Sequence, residues 1–549
     1  MAFFATRAPK FFSRARCRFL LLLLLPALGF FNAGCFRREP PADITIINRA
    51  EPDSLDPVII VSQPDMRVVR GLFEGVTRLD PKTAQPIPGL AKSWDLSPDG
   101  KTYTFHLRTN LVWSTGEPIT ADDVVYSWIR ALEPKTASDY AFAFKQVKNG
   151  EDFNAGKITD PSLVGIHALD KYTVRVDLNC PTPFFLDLCT FPVMFVVPRQ
   201  TIEKYGDRWI MARPLPSSGP FELAYWRLSD RIRLVKNPRY WNATNTQSDI
   251  IDILPVGSPD TAFNLYSSGA ADIVWDKDSI PQELLDVLLK RPDFHTFDFL
   301  GTYFIRFNVT RKPFDDPRVR RALALAVDKQ LIVKKIMRGG EQVATHFVPN
   351  GTADYTSPPC LGYDPELAKK LLAEAGYPGG KGFPRFEYTF DASAGGAAQT
   401  HENIAIELQQ MWHDTLGIQM DLRQVETKVF WSLQGSLDFQ LSRSSWVGDY
   451  DDANTFLEMF VSNDAENRTG WTNRDYDILI DKANEQTDLK VREKIFQQAE
   501  SLLVSNQAPI IPLFFYKGVM YYDTNKIQGI YPNLLDDHPL DYIKKIKSN

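Results

Sequence analysis

Residues 89–128 read GLAKSWDLSPDGKTYTFHLRTNLVWSTGEPITADDVVYSW. Inside this stretch lie a β-rich piece, TYTFHLR at 102–108, and the start of a helical one, TADDVVYSWIRAL at 120–132. Thr120 suits the N-cap, and Asp123 three residues on makes an acidic capping box that also suits the helix dipole. The same alternation repeats outward in both directions. DITIIN, YTVRVDL, RIRLVKN and YFIRFNV are β-rich, whereas DPRVRRALALAVDKQLIVKKIM, DPELAKKLLAEAG, ENIAIELQQMWHDTLG and VREKIFQQAESLLVSN are helical. In the first of these helices Asp316 caps, Pro317 fits the first turn, and Val319, Leu323, Val327 and Leu331 make one apolar face. Such a chain is α/β or α+β.

The N-terminus sets the compartment. Arg7, Lys10, Arg14, Arg16 and Arg18 precede the apolar run FLLLLLLPALGFF and then NAGC, ending at Cys35. The run is shorter than the ~20 residues of a membrane span, so residues 1–34 read as a secretory signal. Small residues directly before Cys35 resemble a bacterial lipoprotein box, which makes Cys35 a candidate for acylation and 35–42 a lipid-anchored tether; Asn32 departs from that box's usual leucine. Loss of the leader removes five cations and leaves the exported chain more acidic than its formal charge of −6. Nucleic-acid binding normally needs a basic stripe, and the mature chain has none. Cys180, Cys189 and Cys360 remain; Cys180 and Cys189 either close a short disulfide loop or stay as two thiols.

Enzyme motifs fail one by one. HENIA at 401–405 has Ala405 where a zinc protease needs its second histidine, and AGYPGGKGF lacks both the first glycine and the hydroxyl of a phosphate loop. No nucleophile elbow appears, and neither histidines nor cysteines show metal-ligand spacing. The reading is a non-enzyme without cofactor or metal. About 515 mature residues suit two or three domains.

EPDSLDP at 51–57, LFEGVTRLDP at 72–81, the 89–128 stretch, SSGPFEL, KNPRYW, FDDPRVRRALALAVDK, AKKLLAEAGY and IIPLFFY follow one another in an order that resembles the oligopeptide and dipeptide substrate-binding proteins of bacterial ABC importers. RSSWVGDYDDANTFL at 443–457 is most similar to the oligopeptide-binding branch. The resemblance implies a periplasmic-binding-protein-like two-lobed α/β fold with an additional inserted domain, three domains in all. Carried onto this chain, the first lobe combines 43–74, 199–300 and 517–549, the inserted domain spans 75–198 and the second lobe 301–516. It further implies an oligopeptide ligand, ABC permease subunits with cytoplasmic ATPases as partners, a monomer, and a lipid-anchored position on the outer face of a bacterial membrane.

Site residues follow from the same resemblance. Asp449 would meet the peptide ammonium, and backbone near Ser445 and Gln63 would pair with the peptide main chain as an added strand does. Trp446 would supply a flat wall, Arg443 and His401 would lie on the carboxylate side, and Tyr140 would face ligand from the inserted domain. Met337 stands where the family can carry a lysine, with Arg338 beside it as a substitute, and Val447 stands where some members carry a cysteine. Each residue has a plainer reading too: Asp449 as cap of a helix beginning near Ala453, Trp446 as core, Arg443 as an edge arginine in a surface pair. Other ligands, murein peptide among them, stay open at this level, as do an exported hydrolase and a lipid-anchored sensing or adhesion protein.

Overall fold

Two long antiparallel strands, Phe294–Phe307 and Ile510–Tyr521, form the middle of an 11-stranded mixed sheet. The structure, a computed structural model, describes residues 39–392 and 397–546. The leader and Cys35 lie outside the described residues. On one side of the long pair come Leu441–Val447, Phe386–Asp391 and Met420–Val425; on the other come Ile273–Trp275, Ile44–Asn48, Ile250–Pro255, Arg231–Lys236 and Phe221–Arg227. Ile44–Asn48 runs parallel to both its neighbours. Its sequence ITIIN shows no polar alternation, as expected for a strand buried on both faces.

The long pair serves two cores. Phe294, Val519 and Tyr521 pack into a cluster with Ile47, Val274 and Leu285, whereas Tyr303, Ile305, Ile511 and Phe514 pack with Leu323, Phe390 and Trp412. Between these cores the ladder breaks. Pairing runs from Phe294 opposite Tyr521 to Asp298 opposite Lys517, then resumes with Thr302 opposite Phe515, so three residues face Tyr516 alone. Just below the break Phe297 lies opposite Gly518, where a Cβ would sit 2.2 Å from the Phe297 ring; only glycine fits. The result is two lobes joined by the two long strands.

A separate four-stranded antiparallel sheet orders Ala91–Leu96, Thr102–Leu107, Thr173–Asp177 and Ile166–Asp170. Helix Ala121–Leu132 covers it, with Trp128 set edge-on to Phe105 at 6.4 Å. The capping box is present: Asp123 Oδ2 accepts from the Thr120 amide at 2.8 Å. Arg130 of this helix makes a buried two-pronged pair with Asp56, at 3.0 and 2.5 Å, and Trp209 Nε1 donates to the same carboxylate. The described residues from 42 onward form one compact unit.

One expectation needs correction, and one left open is decided. The helical stretch from 316 divides: Pro317–Leu325 ends before Asp328, which accepts from the Leu331 amide and starts a new helix, Lys329–Ile332. An internal aspartate that can cap competes with continuation of the helix. Cys180 and Cys189 are free thiols, as is Cys360.

Candidate functional site

Strand Leu441–Val447 pairs along its length with Thr302 and its neighbours, but its other edge meets Phe386–Asp391 only at Leu441 and Ser442. From Arg443 onward that edge has no strand beside it among the described residues. Gln434 Nε2 donates to the Arg443 carbonyl; beyond it, Ser445 to Val447 offer open backbone.

The strand ends in the turn that carries Asp449. Asp449 is not the helix cap. Helix Asn454–Leu457 begins after Ala453, and the carboxylate that accepts from the Asn454 amide is that of Asp452. The Asp449 amide donates to Thr455 Oγ1 at 3.2 Å, while its Oδ2 is enclosed without any hydrogen-bond partner. Burial, with Glu466 nearby, pushes this carboxyl up to about 7. Tyr140 is close enough that Asp449, after burial, raises its hydroxyl further; its ring packs on Phe191 at 4.8 Å. Trp446 packs against the core around Leu300 and Phe456, yet its Nε1 is enclosed without an acceptor.

A cavity of about 740 Å³ opens beside the strand, lined by Arg443, Ser445 and His401 with Arg49, Lys277, Glu341 and Tyr516 among others. Asp449, Trp446, Tyr140 and Gln63 are not among its lining residues, so the expected site falls into two parts. Arg443 is buried, donates from Nε to Asp391 Oδ1 at 2.5 Å, and has its guanidinium over the rings of Phe430 and Trp431. Ser445 Oγ accepts from the same guanidinium. His401 lies 4.0 Å from Asp391 and within 3.4 Å of the Tyr303 hydroxyl; burial, then Arg443, lowers its pKa to about 3, so it is neutral. The expected carboxylate-side cations are therefore one arginine already paired and one uncharged imidazole. Arg338 turns away, donating to the Gln282 carbonyl and pairing with Asp286, and Met337 lines the cavity in its place.

Gln63 also departs from expectation. It is the first residue of helix Gln63–Leu72, fixed by Pro64 and by a capping box between Ser62 and Asp65, and not part of an extended segment. It can offer only an N–H of the kind a helix start leaves unpaired.

Sequence reasoning missed Lys277, Asp278, Arg49 and Asp391. Lys277 Nζ lies 2.9 Å from both Asp278 oxygens and 4.9 Å from the Tyr516 ring centre, and Arg49 reaches Asp278 from the other side. A signal existed for Asp391 alone: an acid closing the apolar parallel strand FEYTFD marks a carboxyl end, where open α/β sheets bind ligands. Beside the Asp449 turn, three residues between 85 and 184 meet residues 450–458. Lys145 pairs with Glu458 at 2.9 Å, Phe184 stacks on Tyr450 at 4.9 Å, and Gln85 reaches Asp451. Among the described residues no group of histidines, cysteines and carboxylates has an arrangement that could hold a metal.

Comparisons with known proteins agree in one direction. Residues 85–468 match the family model of the bacterial extracellular solute-binding proteins, family 5. The dipeptide-binding protein DppE of Bacillus subtilis is 34% identical over 511 residues, 90% of each chain. The probable deoxycholate-binding periplasmic protein YgiS of Escherichia coli is 35% identical, over 85% of this chain and 87% of its own. The crystal structure of the periplasmic oligopeptide-binding protein OppAIV of Borrelia burgdorferi superposes with a TM-score of 0.82 at 33% identity, covering 92% of this chain and all of the other.

Proposed function

The chain belongs to the family-5 bacterial extracellular solute-binding proteins, and from that premise we propose that it captures oligopeptides outside the cytoplasm and delivers them to an ABC permease. One observation carries the reading: Asp449, an enclosed carboxylate with an unpartnered oxygen, stands at the end of a strand whose edge is open. A buried carboxylate without a partner is costly and calls for a cation from outside. An open strand edge calls for an extended backbone. A peptide brings both. A bile acid of the kind named for YgiS is an anionic steroid and brings neither, so Asp449 argues against that ligand here.

Asp449 receives the peptide ammonium, with Tyr140 closing over it from the inserted domain and Trp446 offering its indole N–H to a ligand carbonyl. Residues Ser445 to Val447 hold the main chain, and peptide side chains enter the cavity, where bridging waters fill what they do not. The domain boundaries proposed are 43–74, 199–300 and 517–549 for the first lobe, 75–198 for the inserted domain and 301–516 for the second lobe. The ladder break at Asp298–Thr302 is where the lobes rotate, since a few residues can absorb a hinge motion. Lipidation of Cys35 holds the protein at the membrane as a monomer.

The reading is tested by expressing the chain from Phe36 onward, unfolding the purified protein and identifying released ligands by mass spectrometry. Short peptides with free amines are expected, because a closed cleft retains its ligand. Release of bile acids or other amine-free solutes alone would overturn it.

A further inference from the structure

Asp449 is not alone in its condition. Among the described residues, two carboxylates have an enclosed oxygen with no hydrogen-bond partner: Asp449 Oδ2 and Glu341 Oε2. Glu341 belongs to the cavity wall, with Lys277 and Lys517 near it. Burial pushes its carboxyl up, and the amides of Glu341 and Gly339 and the two lysines pull it back. Neither lysine bonds Glu341 Oε2; Lys277 pairs with Asp278 and Lys517 with Asp298.

The backbone around Glu341 makes room for it. A Cβ on Gly339 would sit 2.8 Å from Glu341 Oε1, and Gly340 adopts φ +89°, so the turn is built for glycines. Arg338 ties the turn to the Gln282 carbonyl, and Gln342–Val343 ties it to Phe515 and Phe514 of the long strand. Glu341 is thus held at the cavity wall from both sides of the turn.

We propose that Glu341 is a second cation-reading carboxylate, which gives this protein a preference for peptides bearing an ammonium or guanidinium side chain at one fixed position. The proposal rests on the peptide reading above and adds a side-chain preference to it. An enclosed carboxylate oxygen gains from a charged donor more than from any neutral one, and each lysine beside Glu341 already has its own partner. An apolar or acidic side chain at this depth leaves the oxygen unpaired. A lysine-, arginine- or diamino-acid residue satisfies it.

The test is calorimetry with tetra-alanine and with variants carrying lysine or norleucine at positions two, three and four. Lysine is expected to bind about tenfold or more tighter than norleucine at one of these positions. Glu341→Gln, shown to be folded by its melting curve, should bring that ratio close to one, and Glu341→Asp should keep part of it. No lysine preference at any position, or an equal preference in Glu341→Gln, overturns the proposal while leaving peptide binding in place. Failure of tetra-alanine itself and of every variant to bind the wild type overturns the peptide reading and this proposal with it. If Glu341→Gln abolishes the response to N-acetylation instead, Glu341 reads the amine and the proposal is wrong.

Discussion

Arg443, on the strand with the open edge, and Asp391, at the end of the strand next to it, form an enclosed ion pair, with Nε 2.5 Å from Oδ1. His401 stands 4.0 Å from the same carboxylate. An arginine so placed is committed to the protein before any ligand arrives, and removing it leaves Asp391 buried without its counter-charge.

Arg443→Ala should therefore cost ~3–5 kcal/mol of stability. Replacing both partners by apolar residues, as in Arg443→Met with Asp391→Leu, should recover most of it. Urea denaturation of the three proteins checks this, and a single variant as stable as wild type would show that the pair contributes little.

The carboxyl end of the peptide should matter less than the amine. Every lysine or arginine described in the cavity wall has a carboxylate partner: Arg443 with Asp391, Arg49 and Lys277 with Asp278, and Lys517 with Asp298. A ligand carboxylate meets no bare cation there, and part of its attraction acts through water. Amidating the C-terminus of di- to pentapeptides should weaken binding only severalfold at each length. A larger loss from amidation than from acetylation would reverse the assignment of the two ends.

Affinity should depend on pH through Asp449. In the ligand-free protein its carboxyl titrates at about 7, and an ammonium binds the ionised form. A proton must leave before binding at lower pH, so affinity should fall roughly eightfold between pH 7.5 and 6.0. The sign for stability is opposite. A folded pKa above the unfolded one costs stability as pH rises from the unfolded value to about 7, so Asp449→Asn should melt higher than wild type at pH 8 without ligand. Titration calorimetry and melting curves across this range give both slopes, and a flat affinity profile would mean that Asp449 does not meet the ligand.

The contacts over the site should set the dissociation rate. Phe184→Ala removes the stack on Tyr450, and Lys145→Ala removes the pair with Glu458. Aromatic pairs contribute ~0.5–1.5 kcal/mol beyond their area, and part-exposed ion pairs less. Stopped-flow release should thus be several times faster for Phe184→Ala and little changed for Lys145→Ala. Unaltered release from both would mean that these contacts do not hold the cleft shut.

Much of the fold was legible because strands and helices here carry strong local signals. ITIIN, TYTFHLR and the Thr120–Asp123 box appear in the structure as read. The helix break at Asp328 was not legible, since an aspartate within an apolar period can continue a helix or cap a new one, and only tertiary packing decides. At the site, Asp449 was singled out by sequence, but whether it capped a helix depended on which of three nearby aspartates faced the Asn454 amide. Arg49, Lys277 and Glu341 come from distant parts of the chain, and no local pattern brings them to one cavity. The pairing of Arg443 and the neutrality of His401 were hidden for the same reason.

Peptide capture as proposed depends on Asp449 meeting the peptide ammonium. Calorimetry at pH 7.5 should compare a free tripeptide with its N-acetyl form on wild type and on Asp449→Ala. The expected outcome is a loss of ~3–5 kcal/mol, a factor of hundreds or more, from acetylation on wild type and from the substitution alike, with little further loss when the two are combined. Equal binding of free and acetylated peptide by the wild type would contradict the claim.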